Sequence, residues 1–356
     1  MIYALATRTL HVLPPETAHT LTIGLLQAGL GPVSSLKTPE LAVDVPFDGG
    51  SLRFPNCVGL AAGFDKNAEV PLAMVRAGFG FAECGTVTPL PQDGNPKPRL
   101  FRLSEDEAVI NRMGFNNKGL DVFLGHLEHI DAHKHKAVIG LNIGANKDAI
   151  DRMDDYVAGL KRLWGHGSYF TINISSPNTP GLRALQGKSH LDELLERVQD
   201  VRQALVRVSE RNFPIFLKIA PDLSESEIAD TVASAMAHGL DGLIVSNTTL
   251  SRPHLASRFA NETGGLSGKP LLSLATEALK LARSASGGKL LLIGAGGISS
   301  GADAYARIRA GASMVQLYSA LVYKGPGLAD DIRRDLVQRL KADGFKTVTE
   351  AVGTLS

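Results

Sequence analysis

Cysteine is scarce in this chain of 356 residues, in which Cys57 and Cys84 are the only two. Two thiols are too few for an iron–sulfur cluster or a cysteine-rich zinc site. Each lies in an apolar segment, so we expect buried free thiols in a reducing compartment. The net charge of +1 gives no reason to expect nucleic acid as a partner. No apolar run reaches the roughly 20 residues that a membrane-spanning helix requires.

Lysine and arginine are absent between Arg8 and Lys37. This gap falls in residues 1–40, which we interpret as a separate helical hairpin with helices over 1–12 and 17–30. Pro14-Pro15 separates the helices and argues against a secretion signal, because it interrupts the apolar core of such a signal. The apolar residues of the second helix form two faces, Ala18, Leu21, Leu25 and Ala28 on one, and Ile23, Leu26 and Leu30 on the other.

Two apolar faces on one helix predict a second apolar contact besides the packing on the domain. The hairpin is then buried on both sides, forms half of a dimer interface, or meets a membrane. A membrane contact here would depend on apolar area and not on anionic lipid, because the basic residues are missing.

Residues 41–356 alternate short apolar strands with helical patterns, of which 191–208 and 225–237 are the clearest. Asp48-Gly49-Gly50 predicts a small β-hairpin over 44–55, at the bottom of the domain. Continuous apolar strands followed by helices are typical of a parallel sheet covered on both faces. Eight such units predict an α/β protein with a closed (β/α)8 barrel, and a doubly wound open sheet is the alternative. The predicted strands are 56–63, 80–87, 138–144, 169–175, 214–219, 242–247, 290–296 and 313–318.

Uncharged polar side chains recur where these strands end, most densely from Asn173 to Thr179. In a barrel the carboxyl ends of the strands converge on one face, where active sites lie. Two lysines, Lys66 and Lys218, stand at apolar strand ends. Each suits either a Schiff base or a fixed cation facing a reduced cofactor or a substrate carboxylate. The long segments 89–117 and 177–189 follow two of the strands and are predicted lids.

Glycines 294, 296 and 297 precede a predicted helix and offer backbone N–H groups to a phosphate. A dinucleotide fold would require an acidic residue near the next strand end, and Val315-Gln316-Leu317 has none. We expect no metal site, and we interpret His126, His129, His133 and His135 as a solvated face because they lack acidic or thiolate partners at suitable spacing.

Taken together, these segments resemble class 2, quinone-dependent dihydroorotate dehydrogenase. The matching stretches are 15–19, 60–66, 83–89, 111–117, 142–147, 173–181, 218–222, 246–249, 264–268 and 296–298. The resemblance implies FMN at the strand ends, dihydroorotate and orotate as ligands, a membrane quinone as acceptor, and a role in pyrimidine biosynthesis. Two departures are that Pro14 stands where the family usually has Asp, and that the second helix lacks the basic residues often found there.

Site residues follow from the resemblance. Ser176 is the implied catalytic base. FMN contacts are implied at Ala62, Gly63, Lys66, Thr86, Asn142, Asn173, Lys218, Ser246, Gly268, Gly297, Tyr318 and Ser319. Orotate contacts are implied at Lys66, Asn111, Arg112, Met113, Gly114, Phe115, Asn173, Asn178, Asn247 and Thr248.

The implied reaction removes a proton from C5 of dihydroorotate at Ser176 and a hydride from C6. Since no histidine or carboxylate lies near this serine in the sequence, we expect Thr179 or water to carry the proton onward. The leucine-rich hairpin would serve as the quinone passage. We expect no obligate protein partner, and a peripheral location on the cytoplasmic side of a bacterial inner membrane.

Three other interpretations remain open from the residues. They are a Schiff-base aldolase using Lys218, a non-enzymatic barrel that docks on membranes, and a soluble fumarate- or NAD-coupled relative. Bound FMN would exclude the first, and the hairpin and Ser176 argue against the third.

Overall fold

The computed structural model describes residues 10–130 and 137–355. Its strands are β1 (Val43–Phe47), β2 (Gly50–Phe54), β3 (Val58–Leu60), β4 (Phe81–Val87), β5 (Leu100–Leu103), β6 (Ala108–Asn111), β7 (Val138–Ile143), β8 (Tyr169–Asn173), β9 (Ile215–Ile219), β10 (Gly242–Val245), β11 (Gly265–Gly268), β12 (Leu291–Ala295) and β13 (Met314–Leu317). Its helices are α1 (Pro15–Gln27), α2 (Pro71–Arg76), α3 (Gly119–Glu128), α4 (Arg152–Leu163), α5 (Lys188–Ser209), α6 (Glu225–Ala237), α7 (Leu272–Ala285), α8 (Gly301–Arg309), α9 (Ser319–Lys324), α10 (Leu328–Ala342) and α11 (Val348–Ala351).

Eight parallel strands close into a barrel in the order β3, β4, β7, β8, β9, β10, β12 and β13, and β13 pairs with β3. All eight predicted strands and both of the clearest predicted helices are confirmed, and the open-sheet alternative is wrong. Strands β4 and β9 end at the predicted residue, whereas the other six of the eight barrel strands end earlier than predicted. Their last polar residues belong to loops, where the side chains face the mouth of the barrel.

Aromatic rings fill the opposite end of the barrel. The predicted hairpin is confirmed as the antiparallel pair β1 and β2. Phe54, the last residue of β2, packs edge-on against Phe81 at a centroid distance of 5.0 Å and lies 6.0 Å from the ring of Tyr169. Because Phe81 and Tyr169 begin barrel strands, the hairpin closes the amino-terminal end. This leaves the carboxyl ends for a ligand.

The long segment after β4 is more regular than a loop. It contains β5 and β6, which form an antiparallel sheet with β11. Alternating burial explains the pairing, because Phe101 and Leu103 are buried while Leu100 and Arg102 are partly exposed. The predicted lid segment 89–117 is therefore not an irregular loop but contains two strands of a small sheet with connecting turns, and its role as a lid stays a prediction. The second predicted lid contains the short 3₁₀ helix Leu182–Gln186.

Helix α1 begins two residues before the predicted helix, because Pro15 occupies its first turn. It ends three residues earlier than predicted. Gly29 has φ of +77°, and the N–H of Leu30 bonds to the carbonyl of Leu25 at 3.0 Å, which stops the helix in a left-handed cap. Ile23 and Leu26 are buried, whereas Leu21 and Leu25 are 45% and 38% exposed.

The other predicted hairpin helix, over 1–12, lies mostly outside the described residues. Its last three residues, 10–12, are described and are helical. The division of the chain at residue 40 stays a prediction. No helix in the described ranges is long and apolar enough to cross a bilayer.

Candidate active site

One continuous cavity of about 480 Å³ opens at the carboxyl ends of the barrel strands and extends beneath helix α1. This volume is within the usual range for small-molecule sites. Most of the predicted site residues line it: Ala62, Gly63, Lys66, Thr86, Asn111, Met113, Gly114, Phe115, Asn173, Ser176, Asn178, Lys218, Ser246, Asn247, Thr248, Gly268, Gly297, Tyr318 and Ser319. Two do not. Asn142 lies behind the wall, and the guanidinium of Arg112 pairs with Glu262 at 2.7 Å.

Hydrogen-bonded amides and hydroxyls form the floor of the cavity. Asn173 donates from Nδ2 to Thr86 Oγ1 at 2.9 Å and to Asn142 Oδ1 at 3.2 Å. Asn247 donates to Ser175 Oγ at 2.9 Å, and Ser175 donates to Asn173 Oδ1 at 2.9 Å. These residues come from the ends of four strands. Their mutual bonds hold uncharged donors and acceptors in fixed directions, which suits a planar ligand with amide edges.

A buried carboxylate below this floor did not emerge from the sequence. Glu83, on β4, is fully buried. It accepts hydrogen bonds from Asn142 at 2.7 Å, Gln316 at 2.7 Å and the Tyr169 hydroxyl at 3.1 Å. All three partners are donors, which is the arrangement that an ionised carboxylate requires. A charged residue inside an otherwise apolar strand is the sequence feature by which it could have been found.

The two lysines stand on different sides of the cavity. Lys218 is 5% exposed, and burial lowers the pKa of its ammonium below the usual value while the charge of Glu83 partly opposes this. Lys66 donates from Nζ to Asn116 Oδ1 at 2.5 Å. Burial, and then the charge of Arg99, lower the pKa of Lys66 to about 7, with the charge of Glu16 opposing. An anionic neighbour would favour the charged form of both side chains.

Ser176 faces the cavity without an obvious base beside it. Its Oγ accepts from the backbone N–H of Asn178 at 3.3 Å, and Asn178 in turn donates to Asn111 Oδ1 at 3.0 Å. The hydroxyls of Thr179 and Thr248 are buried and have no hydrogen-bond partner among the described residues. A buried hydroxyl without a partner is costly, and a ligand or water at this site would satisfy it.

The residues assigned to FMN by the resemblance fit such a group in shape and chemistry. Gly268 and Gly297 have φ of +94° and +79°, which side chains rarely adopt, and they bring bare backbone to the cavity wall. Gln316 Oε1 is buried at the floor without a hydrogen-bond partner in the part of the chain that the structure describes. The amino end of helix α8, expected to help bind phosphate, is already capped by Ser300, which accepts from Asp303 N. Gly296 and Gly297 of that glycine segment line the cavity, and a phosphate contact there stays a prediction.

The far end of the cavity is lined by the amino-terminal helix. It includes His19, to which no sequence pattern assigned a place in the site. His19 lies edge-on to Phe64 at 5.4 Å and near Tyr318 at 6.4 Å. Burial, and then the charge of Lys66, lower the pKa of His19 to about 4, so its ring is neutral at pH 7. Leu25 and Leu26 line the same end. This end is mainly apolar and aromatic, unlike the polar floor.

The histidines interpreted as solvated have separate backbone partners. His126 Nδ1 bonds to the carbonyl of Asn67 at 2.7 Å, and His129 Nδ1 to that of Gly125 at 2.5 Å. His133 and His135 lie outside the described residues. Within 10–130 and 137–355, no group of three or more His, Cys, Asp or Glu side chains is arranged to hold a metal ion. Cys57 and Cys84 are buried free thiols, as predicted.

Comparison with known proteins finds relatives that are similar to this chain over nearly its full length. The family profile described as Dihydroorotate dehydrogenase matches residues 48–340. The chain is 52% identical over 355 residues to a Dihydroorotate dehydrogenase (quinone) of Xanthobacter autotrophicus, covering 99% of this chain and 98% of that protein. It is 53% identical over 354 residues to that of Parvibaculum lavamentivorans, with the same coverage. A crystal structure of DHODH in complex with ferulenol from Eimeria tenella matches with a TM-score of 0.90 at 43% identity, covering 96% of this chain and 95% of that one.

Proposed function

This chain belongs to the quinone-dependent dihydroorotate dehydrogenase family and is an oxidoreductase, and from this premise we propose that it oxidises dihydroorotate to orotate in pyrimidine biosynthesis and reduces a membrane quinone. The observation that carries the proposal is the continuous cavity. It joins a polar floor at the strand ends to an apolar passage under helix α1. A polar end for dihydroorotate and an apolar end for the quinone suit two half-reactions with chemically different partners.

The polar end is where dihydroorotate and orotate would bind. Orotate is planar, with a carboxylate and amide edges. Lys66 suits the carboxylate, and the side-chain amides of Asn111, Asn178 and Asn247 suit the ring edges. The unpartnered Thr248 hydroxyl supplies a further donor or acceptor. Arg112 is left out of this set, since it does not line the cavity and its side chain is held by Glu262.

Ser176 is the proposed base, which takes the proton from C5 of dihydroorotate. Its Oγ already accepts one hydrogen bond, from the N–H of Asn178. The proton then has to leave the serine, and Thr179, three residues further along, has a buried hydroxyl without a partner among the described residues. We assign Thr179, or a water beside it, to this relay. Serine in place of a stronger base requires such an outlet.

FMN is the proposed cofactor, because the family is flavin-dependent in general. When bound, it would accept the hydride from C6 of dihydroorotate and pass electrons to the quinone. The chain would hold it through backbone at Gly268 and Gly297 and through the amides of the floor. Lys218 would place a positive charge beside it, where negative charge develops. Glu83 keeps a counter-charge within the same buried network.

The apolar end is the proposed quinone passage, and the exposed face of helix α1 is the proposed membrane contact. Leu25 and Leu26 line the cavity, while Leu21 and Leu30 are 45% and 64% exposed. An apolar tail can therefore enter between the helix and the barrel from a lipid surface. We place the protein peripherally on the cytoplasmic side of a bacterial inner membrane, with residues 1–40 as the docking module.

Two measurements test the proposed function. Purified protein should reduce a quinone analogue when dihydroorotate is supplied, and its visible spectrum should show FMN. Ser176→Ala should slow flavin reduction by dihydroorotate by orders of magnitude, about 10²- to 10⁴-fold, while FMN remains bound. Unchanged reduction kinetics would reject the role of Ser176. A preparation without flavin would reject the cofactor assignment.

The hairpin is tested by separating the half-reactions. Deleting residues 1–36 should abolish quinone reduction, whereas dihydroorotate should still bleach the flavin. Loss of both half-reactions would leave the hairpin with a folding role alone. Loss of neither would place the quinone site elsewhere.

A further inference from the structure

Arg183 connects three loops at the mouth of the barrel. It lies in the 3₁₀ helix Leu182–Gln186, which follows β8. Its Nε donates to the carbonyl of Ser175 at 3.0 Å, and its Nη2 to the carbonyl of Thr248 at 2.9 Å. Its Nη1 pairs with Oδ2 of Asp222 at 2.8 Å. These acceptors belong to the loops after β8, β10 and β9.

The acceptors stand next to the proposed chemistry. Ser175 directly precedes Ser176 in the chain, and Thr248 lines the cavity with a hydroxyl that has no partner within residues 10–130 and 137–355. The guanidinium itself is not part of the cavity wall. A planar guanidinium offers its N–H groups in a fixed fork, so its three bonds fix the relative positions of the three acceptors. Moving Arg183 would therefore move Ser176 relative to Thr248.

Asp222 anchors this arrangement from the loop after β9. Besides Arg183, it accepts hydrogen bonds from the hydroxyl of Thr249 and from the N–H of Leu250, the latter at 3.3 Å. The pair is partly shielded, with the two side chains 20% and 21% exposed. Asp222 thus holds both the guanidinium and the segment that carries Thr248. An isolated surface pair would have no such second partner.

Other contacts hold the rest of the loop, and the N–H of Ser175 bonds to Asn173 Oδ1 at 3.3 Å, but among the described residues only Arg183 donates to the carbonyl of Ser175. Arg152 donates to the carbonyl of Pro180 at 2.6 Å, and Gln186 accepts from the N–H of Ala220 at 2.9 Å. Asn95 donates to the carbonyl of Asn178 at 3.2 Å. Leu182 and Leu185 are buried against the barrel. The loop would therefore keep its general path without Arg183, while the carbonyl of Ser175 would lose a fixed side-chain donor.

We propose that Arg183 is a positioning residue for the oxidation of dihydroorotate, which orients Ser176 and Thr248 with respect to each other through Ser175 and Asp222. The inference rests on the proposed function, in which Ser176 is the base and Thr248 contacts the substrate. Arg183 acts through these residues and touches neither substrate nor cofactor. Small displacements of reacting groups are enough to reduce a rate by about 100-fold.

The test measures flavin reduction by dihydroorotate in the FMN-loaded, full-length protein by stopped flow. Arg183→Ala should lower the limiting rate by about 10- to 100-fold with a smaller change in the concentration for half-maximal rate. Arg183→Lys, which keeps the charge but not the fork, should recover only part of the rate. Lys188→Ala is the matched control, because it breaks the exposed pair with Asp230 at the end of the same loop and should leave the rate unchanged.

A double variant distinguishes positioning from a general loss of structure. If Arg183 acts through Ser176, Arg183→Ala combined with Ser176→Ala should be no slower than Ser176→Ala alone. Effects that multiply, or an Arg183→Ala rate within twofold of the unmodified protein, would overturn the proposal. Should Arg183→Ala not accumulate, Asp222→Asn gives the same cycle, because it retains the shape of the side chain and removes its charge. A normal rate for Ser176→Ala alone would instead reject the proposed base.

Discussion

Arg99 donates a hydrogen bond of 2.7 Å from Nη2 to Oε1 of Glu16, and this contact joins the barrel to the amino-terminal helix. Nη1 of the same guanidinium donates to the carbonyls of Asp93 and Asn95, at 2.5 and 2.9 Å. Arg99 is 7% exposed and Glu16 is 24% exposed. One side chain thus fixes both the insertion after β4 and the start of helix α1, which covers the apolar end of the cavity.

We predict that Glu16→Ala weakens the attachment of helix α1, because it leaves the shielded guanidinium of Arg99 without its carboxylate. The expected loss is about 1–2 kcal/mol, from a hydrogen bond to a charged group. Cleavage in residues 10–40 by a dilute protease should accelerate accordingly. Lys97→Ala is the control, since Lys97 lies 3.5 Å from the same carboxylate but is 69% exposed. Equal cleavage rates for the two variants would contradict the prediction.

The same contact should depend on pH. Burial alone would raise the pKa of Glu16, but the hydrogen bond and charge of Arg99, with help from Lys97, lower it below the usual 4.5. A lowered pKa in the folded state stabilises the protein above the unfolded-state value, and this contribution disappears as the pH falls through the folded-state value. The difference between the unmodified protein and Glu16→Ala should therefore be full at pH 7 and decrease below about pH 4.5.

The second prediction concerns orotate binding by Lys66. Its pKa is lowered to about 7, so the free protein loses the ammonium charge as the pH rises above that value. A bound carboxylate would raise the pKa again, and binding above pH 7 must then take up a proton. Orotate affinity should fall by up to about tenfold per pH unit above 7. Titration calorimetry at pH 8, in two buffers with different ionisation enthalpies, measures the proton uptake.

Lys66→Arg is the control, because arginine keeps its charge throughout this range. Its orotate affinity should be flat between pH 7 and 9. An equally flat profile for the unmodified protein, without buffer-dependent heat, would show that Lys66 does not face the carboxylate.

Sequence patterns were sufficient to predict the barrel, but not the small sheet added to it or the end of helix α1. Parallel strands covered by helices are apolar throughout, and this pattern is local, so all eight strands could be predicted. The sheet of β5, β6 and β11 could not, because β11 (Gly265–Gly268) is short, glycine-rich and distant from its partners. Pairing between remote segments leaves no local periodicity. The end of helix α1 was missed because it depends on a backbone angle at Gly29.

Some site residues could likewise be predicted from the sequence, and others could not. Residues such as Thr86, Asn173 and Ser176 stand at strand ends, where topology alone brings them together. Glu83 and Arg183 were missed for opposite reasons. Glu83 lies within a strand, where its three donors come from three other strands, and Arg183 lies in a loop, where only the fold shows that its acceptors converge. Such hydrogen-bond networks depend on distances between side chains that are remote in the sequence, and the spacing of residues along the chain does not reveal these distances.

The third prediction is that the exposed apolar side chains of helix α1 and of the segment that follows it bind lipid without regard to lipid charge. Leu21 on the helix and Val33 after it are 45% and 78% exposed, neither lines the cavity, and no Lys or Arg lies between residues 8 and 37. The protein should sediment with phosphatidylcholine vesicles equally at low and high salt. Leu21→Glu combined with Val33→Glu should abolish sedimentation.

Val208→Glu is the control for this experiment, because Val208 is an even more exposed apolar residue, at 88%, on barrel helix α5. It should sediment like the unmodified protein. Reduction of a short, soluble quinone analogue should be unaffected in all variants, since the passage itself is intact. Binding that requires anionic vesicles and is lost at high salt would contradict the apolar contact.

The fourth prediction concerns the buried charges of Glu83 and Lys218. Glu83→Gln would turn an amide N–H toward Asn142, Gln316 or Tyr169, all of which donate, and would remove the negative charge that opposes the lowered pKa of Lys218. Leaving a buried polar group without its partner typically costs about 1–3 kcal/mol, and more where a charged group is involved. Urea denaturation should therefore show a large loss for Glu83→Gln, and a comparable one for Lys218→Met.

The double variant decides whether the two charges act as a pair. Removing both leaves no uncompensated buried charge, so its cost should be smaller than the sum of the single losses by about 1 kcal/mol or more. The exposed pair Glu277 and Lys280, joined at 2.8 Å on helix α7, provides the control, and its single and double variants should change stability by less than about 0.5 kcal/mol. Strict additivity at Glu83 and Lys218 would mean that solvent or ligand, and not the carboxylate, balances the lysine. In that case the carboxylate serves the hydrogen bonds of Asn142, Tyr169 and Gln316 alone.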